Sequence, residues 1–180
     1  VKAVGYPDNR GMGHAVKCGF QHSTGRLVMY MGADMDVHPR QIQVFLDALE
    51  KGGADIVLGS KHHPDSTLDW PASRKFLGKA YNLMIRILFG LKLMDTQGPQ
   101  MFTRESLEYI FPRVTTNSYA FSLEMLVIAS RKGYKVVEVP ITVEFKAKSS
   151  RNLGKMIRLM LVDTLKVFSN LRFKGMYRPE

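Results

Sequence analysis

Cysteine occurs once in the 180 residues, at Cys18, which excludes an intrachain disulfide and a thiolate zinc cluster and fits a reducing compartment. As an isolated thiol, Cys18 reads as helix packing rather than as a nucleophile. Long apolar runs are missing too. No uncharged stretch approaches the ~20 residues of a membrane span, and the N-terminus lacks the apolar core of a signal peptide; as given, the chain reads as soluble or peripheral. Acids are scarce, 16 Asp and Glu against 26 Lys and Arg, for a net charge of +10 and a pI near 9.8. That excess implies an anionic partner, whether nucleic acid, anionic membrane surface or phosphorylated ligand. The basic residues are dispersed and carry no known nucleic-acid motif, so no nucleic-acid partner is expected. A starting methionine is also lacking, and Val1 to Gly5 reads like a strand entered in mid-fold, as in a fragment of something longer. No linker or repeat divides the chain, and 45% hydrophobic content suffices for the core of one domain.

What is present alternates β and α. After the Val1 to Gly5 strand, a glycine-rich turn leads into a helix ending near Ser23, and Leu27 to Met31 reads as a parallel core strand. A helix follows from about Pro39 to Lys51, stopped by Gly52-Gly53, and then a short buried strand from Ala54 to Gly59. Lys61 to Asp69 is a polar loop of the kind that carries function. Pro71 to Leu91 reads as a long basic helix, Gln100 to Phe102 as a strand, and Glu105 to Phe111 and Ala120 to Lys132 as helices. Lys135 to Phe145 is β-rich, with Pro140 pointing to an edge position, and Gly154 to Phe173 is a final helix.

The apolar Leu27 to Met31 run ends in Asp34-Met35-Asp36, at the sheet edge where open α/β sheets bind ligands. Two carboxylates about 4 Å apart repel by roughly 4 kcal/mol at an effective dielectric near 20. A divalent cation relieves that, and hard oxygen ligands favour Mg2+ or Mn2+, ions that usually travel with phosphates. The alternative is that Asp36 caps the helix after His38-Pro39. In Asn9-Arg10-Gly11-Met12-Gly13 the glycines either let backbone amides approach a diphosphate at a helix N-terminus or make a tight turn capped by Asn9. Lys61, Arg74 and Lys75 are candidate phosphate ligands or an ordinary solvated face. The loop of Lys146, Lys148, Ser149, Ser150 and Arg151 is a phosphate cover or a linker. His14, His38, His62 and His63 read as structural or loop residues. Residues 151–180 hold seven Lys or Arg against two acids, interleaved with apolar positions. A basic amphipathic helix of this kind lies on an anionic bilayer or packs on the core.

Taken in order, these segments resemble the family 2 glycosyltransferases of the GT-A fold, and among them the dolichyl- or polyprenyl-phosphate mannose and glucose synthases. Asn9 to Gly13 is similar to the family's Asn-Arg-Gly-Lys-Gly turn, and Gly32-Ala33-Asp34 stands at its Asp-Ala-Asp motif. Gly59-Ser60-Lys61 resembles Gly-Ser-Arg, Asp95-Thr96-Gln97 its Asp-Thr-Gln turn, Phe121 to Glu124 its Phe-Asp-x-Glu, and Gly133 to Pro140 its Gly-Tyr-x-x-x-Glu-x-Pro strand. In three places the match departs: Gly32 replaces the leading aspartate, the Asp95 turn is one residue shorter than usual before its strand, and Ser122 replaces a frequent aspartate. The family's first strand and Pro-x-x-Asn-Glu segment are absent.

The resemblance implies a mixed, mainly parallel α/β sheet flanked by helices and lacking its first strand or strands. It implies a partial catalytic domain over residues 1–150, with 151–180 as a C-terminal helix of the same domain or a membrane-surface contact. The implied activity is inverting transfer of a hexose from GDP-mannose or UDP-glucose to a polyprenyl phosphate, at the cytoplasmic face of a membrane. Asp34, Asp95 and Gln97 would be catalytic, with Asn9, Arg10, Gly11, Gly13 and Asp34 binding the nucleotide sugar. Asp34 and Asp36 would bind the metal, and Lys61, Arg74, Lys148 and Arg151 the acceptor phosphate. The rival readings are a saccharide acceptor, or a non-catalytic nucleotide-sugar or membrane-binding fragment.

Overall fold

The computed structural model describes residues 3–68, 72–144 and 153–177. Its main sheet holds four strands, β1 (Leu27–Tyr30), β2 (Ile56–Ser60), β4 (Gln100–Thr103) and β5 (Val136–Pro140), in the order β1-β4-β2-β5. Strands β2 and β5 are parallel, while β4 lies antiparallel between β1 and β2. Three strands therefore share a direction and one opposes them. A second, two-stranded sheet pairs β3 (Thr67–Leu68) with β6 (Thr142–Val143). The helices are α1 (Met12–Gln21), α2 (Ile42–Gly52), α3 (Ala72–Phe89), α4 (Arg104–Ile110), α5 (Phe121–Lys132) and α6 (Leu153–Arg172).

Period-two alternation divides the sheet residues between two apolar layers. Ile56, Leu58 and Phe102 face a core built with α3, α4, α5 and α6. Val57, Met101 and Val139 face α2, which inserts Phe45. Strand β2 is buried at all five positions, as a central strand covered on both faces must be. Helix α5 is buried from Phe121 to Ala129, so it needs no polar stripe. It stops at Gly133, whose φ of 87° takes the left-handed conformation that closes helices.

Four expectations change. Residues 3–5 form no strand, and Val1 and Lys2 lie outside the described residues. Strand β1 is half-buried and pairs antiparallel with β4 alone. Among the described strands it is outermost, and its one described pairing is antiparallel. The polar loop after Lys61 contains β3, which the β-rich run from Lys135 supplies with a partner by breaking after Pro140 into β5 and β6. The 3₁₀ turn Pro39–Gln41 is capped by His38, whose Nδ1 accepts from the Arg40 N–H; Asp36 does not fill that role.

Candidate functional site

Above the β1 end of the sheet lies a mostly apolar cleft of about 1130 Å³ that Asp34, Asp36, Lys61, Asp95 and Gln97 all line. Strand β1 delivers the first two. Met35, with φ of 62°, sits in the left-handed region that non-glycine residues seldom adopt. The Asp36 N–H donates to Asp34 Oδ1 at 3.3 Å, a turn of the kind Asp side chains make two residues on. Gly32 is part of this arrangement. A Cβ there would lie 2.7 Å from Asp34 Oδ1, so the Asp34 carboxylate occupies room that any side chain at position 32 would claim.

Strand β2 delivers Lys61 from its end. The Lys61 ammonium meets Asp95 Oδ2 at 2.9 Å, with the two side chains 13% and 2% exposed. The Lys61 N–H also donates to Oδ2, and the Thr96 and Gln97 N–H groups donate to Oδ1. Burial pushes the Asp95 carboxyl up, but the Lys61 charge and these hydrogen bonds outweigh it and hold the group below the ordinary carboxylate value. The turn itself is held from β5, where the Glu138 carboxylate accepts from the Met94 and Asp95 N–H groups. Gln97 completes the group with a buried Nε2 that has no hydrogen-bond partner. Because Gln97 lines the cleft, a side-chain rotation would turn this buried donor toward an oxygen of a bound molecule.

His62, read from sequence as a loop residue, also lines the cleft. Its ring lies against Gly78 of α3, where a Cβ would come 3.1 Å from Nε2. Burial first, then the charges of Lys61 and Lys79, lower its pKa against the opposing pull of Asp95 and Glu138. Adjacency to Lys61 was the available signal.

In the glycine turn two backbone N–H groups are already paired. The Gly11 N–H donates to Asn9 Oδ1 and the Gly13 N–H to Asn117 O, 2.9 Å away. Gly11 itself is the N-cap of α1, not Asn9. A Cβ on Gly11 would overlap Asn117 O, and one on Gly13 would lie 2.8 Å from Phe121 Cβ, so both glycines permit close packing. Asn9, Arg10, Gly11 and Gly13 do not line the cleft, whereas Met12 and Ala15 do.

The loop they pack against is fixed by Glu124, which is fully buried. Its carboxylate accepts from the N–H and hydroxyl groups of Thr115 and Thr116 and from the Tyr177 hydroxyl. Ser118 donates to Asp163 of α6. Lys148 and Arg151 lie outside the described residues, as does the side chain of Arg74.

The donor set at Asp34 and Asp36 suits a hard cation that completes its shell elsewhere. Among the described residues no group of three His, Cys, Asp or Glu could hold a metal. Two carboxylates plus phosphate oxygens is how Mg2+ is commonly held.

The model of the family described as Glycosyl transferase family 2 matches residues 4–111. The chain belongs to that family. Among family 2 relatives, it is 31% identical over 151 residues to "Glycosyltransferase AglD" of Haloferax volcanii, covering 83% of this chain and 24% of that protein. It is 31% identical over 178 residues to "Dolichyl-phosphate beta-glucosyltransferase ALG5C" of Trichomonas vaginalis, covering 93% and 51%. With "Undecaprenyl-phosphate mannosyltransferase" of Micrococcus luteus it shares 31% identity over 173 residues, covering 92% and 70%. The chain thus spans a quarter to about two thirds of the length of these relatives. The fold matches glucosyl-3-phosphoglycerate synthase from Mycobacterium tuberculosis, solved with Mn2+, UDP-glucose and phosphoglyceric acid. That match has a TM-score of 0.68 at 17% identity and covers 97% of this chain and 58% of that one. The architecture of this family 2 chain is accordingly GT-A-like, and the mixed sheet expected from sequence is the one found.

Proposed function

We propose that the whole protein is a hexosyltransferase that moves a sugar from a nucleotide sugar, GDP-mannose or UDP-glucose, to a polyprenyl phosphate with inversion. The observation that carries this reading is the meeting, in one largely apolar cleft, of the Asp34–Asp36 pair with the Lys61–Asp95 pair and the unpartnered Gln97 amide. Family membership and the polyprenyl- and dolichyl-phosphate activities for which two relatives are named support it.

Asp34 and Asp36 would hold Mg2+ or Mn2+, which supplies positive charge to the departing nucleoside diphosphate. Asn9, Arg10 and the glycine turn would act through the placement of α1 rather than through their own amides, two of which are already paired. Lys61 would meet the acceptor phosphate, its ammonium fixed by Asp95, while Gln97 Nε2 donates to a phosphate oxygen. With its four donors Asp95 holds Lys61 rather than taking a proton. No strong base is needed, because a phosphate acceptor is already anionic at neutral pH and orientation does most of the work. Lys148, Arg151 and Arg74 are further candidates for the acceptor phosphate.

The protein would work at the cytoplasmic face of a membrane without crossing it through the helices described, since none is long and apolar enough to do so. Helix α3 exposes Phe76, Leu83 and Ile87, and α6 exposes Val162 and Leu165, with Phe173 just beyond. Their exposed charges are cationic, including Lys75, Lys79, Arg86, Arg158 and Lys166.

The test is transfer of radiolabelled sugar by the full-length protein, with Mn2+ and each nucleotide sugar in turn. Label is expected in the organic-extractable lipid fraction and lost in Asp34→Ala. Label appearing only in a water-soluble saccharide would overturn the acceptor, and undiminished metal-dependent transfer by Asp34→Ala the metal site.

A further inference from the structure

Ser122, in the first turn of α5, is 1% exposed and ties the β1–β4 ladder, where Tyr30 and Gln100 already face each other, to the Asp95–Pro99 turn and to α5. Its Oγ lies 2.7 Å from Thr96 O, 2.6 Å from Gln100 Nε2 and 3.0 Å from the Tyr30 hydroxyl. A serine hydroxyl offers one proton and two lone pairs. The Thr96 carbonyl can only accept, so the Ser122 proton goes there. Both lone pairs then receive donors, the Gln100 amide and the Tyr30 hydroxyl, and the capacity of Oγ is filled. The same count orients the Gln100 amide, because its Oε1 turned toward Ser122 would find no proton left. Burial raises the Tyr30 pKa well above its ordinary value, which keeps the phenol protonated as a donor.

The three partners lie beside the cleft chemistry. Tyr30 ends β1, just before the Asp34–Asp36 turn; Thr96 stands between Asp95 and Gln97; Gln100 opens β4 directly after that turn. An aspartate at position 122 would be acceptor-only when ionised, and would set a carboxylate against the Thr96 carbonyl.

We propose that Ser122 is a positioning residue that sets the spacing between the Asp34–Asp36 turn and the Asp95–Gln97 turn, and so aligns the two halves of the cleft. It acts through Tyr30 and Thr96 and touches no substrate. Its kinetic consequence rests on the transferase reading above; its structural consequence does not.

Two measurements separate these. Hydrogen exchange on the full-length protein needs no substrate. Ser122→Ala is expected to raise exchange together in residues 30–36 and 94–99 while the amides of α5 stay protected, and Tyr30→Phe to raise it in 30–36. Exchange rising throughout α5, or in neither segment, would overturn the proposal. In the transfer assay, Ser122→Ala is expected to lower kcat on the order of 10-fold, the effect of small misalignments, with the donor KM within about twofold. Ser122→Thr, which keeps the hydroxyl, should recover most of the loss. The double variant with Tyr30→Phe should be no slower than Ser122→Ala, as for residues sharing one network. An unchanged kcat with unchanged exchange would overturn the positioning role. A wild-type protein that transfers nothing while the two turns remain linked in exchange would overturn the transferase reading instead.

Discussion

Asp34 is bent back over the start of its own turn, in the space left by Gly32. Replacing Gly32 by Ala sets a methyl 2.7 Å from Asp34 Oδ1, and the carboxylate, at the free end of an exposed side chain, swings away at little cost to the fold. Gly32→Ala is therefore expected to lose less than about 1 kcal/mol of stability, as surface changes do, while its Mn2+ affinity shifts severalfold; calorimetric titration with Mn2+ and the nucleoside diphosphate measures both partners. Asp95 behaves oppositely, because its carboxylate is committed on every side. Its folded pKa lies below the 3.8 of a free carboxyl, so between those two values the unfolded chain binds the extra proton. The stabilisation from Asp95 is thus complete above pH 3.8 and is lost as pH falls through the folded value. Asp95→Asn should be less stable at neutral pH by roughly 3 kcal/mol, the cost of breaking a buried pair. Its denaturation midpoint should also vary less with pH below 4.

At the scale of elements, the Asp95 to Pro99 turn reaches its place because two glycines meet. Gly98 lies so close to Gly59 that a Cβ would overlap the Gly59 carbonyl oxygen, and the Gly59 N–H donates to Pro99 O. Backbone on backbone leaves nothing flexible to yield. Gly98→Ala should cost roughly 3 kcal/mol, at the upper end of overpacking, and should free Lys61 from Asp95, which faster exchange of the Thr96 and Gln97 amides would report. Helices α2, α5 and α6 were legible in the sequence because their apolar spacing or uninterrupted apolar length decides their type. Strand β2 was legible for its buried run. The pairing of β3 with β6 was not, since two-residue strands carry no period and their partners lie 75 positions apart. The acids at the end of β1 could be read from position alone, but the glycine turn could not: Gly11 and Gly13 make room for Asn117, a contact no local pattern encodes. Ser122 looked like a lost aspartate, and only its three partners give it a role.

The whole molecule carries its charge unevenly. Helix α3 contains no acid, and the single acid of α6, Asp163, bonds inward to Ser118. Both helices expose apolar residues beside cations, the combination that binds anionic bilayers, with each surface cation worth about 1 kcal/mol. The full-length protein is expected to sediment with phosphatidylglycerol vesicles more than with phosphatidylcholine vesicles, and less so as salt rises. Phe76→Asp with Ile87→Asp should weaken that binding. Equal binding to both vesicle types would argue against a charge-directed surface.

Glu124 imposes an order in time. Among the described residues its buried carboxylate meets no cation at hydrogen-bonding distance and accepts from five donors, one of them the hydroxyl of Tyr177, 53 positions later and 2.5 Å away. During synthesis α5 emerges before that phenol exists, so its acid must stay hydrated in the meantime. The loop that seats the start of α1 therefore reaches its final form only after Tyr177 has left the ribosome.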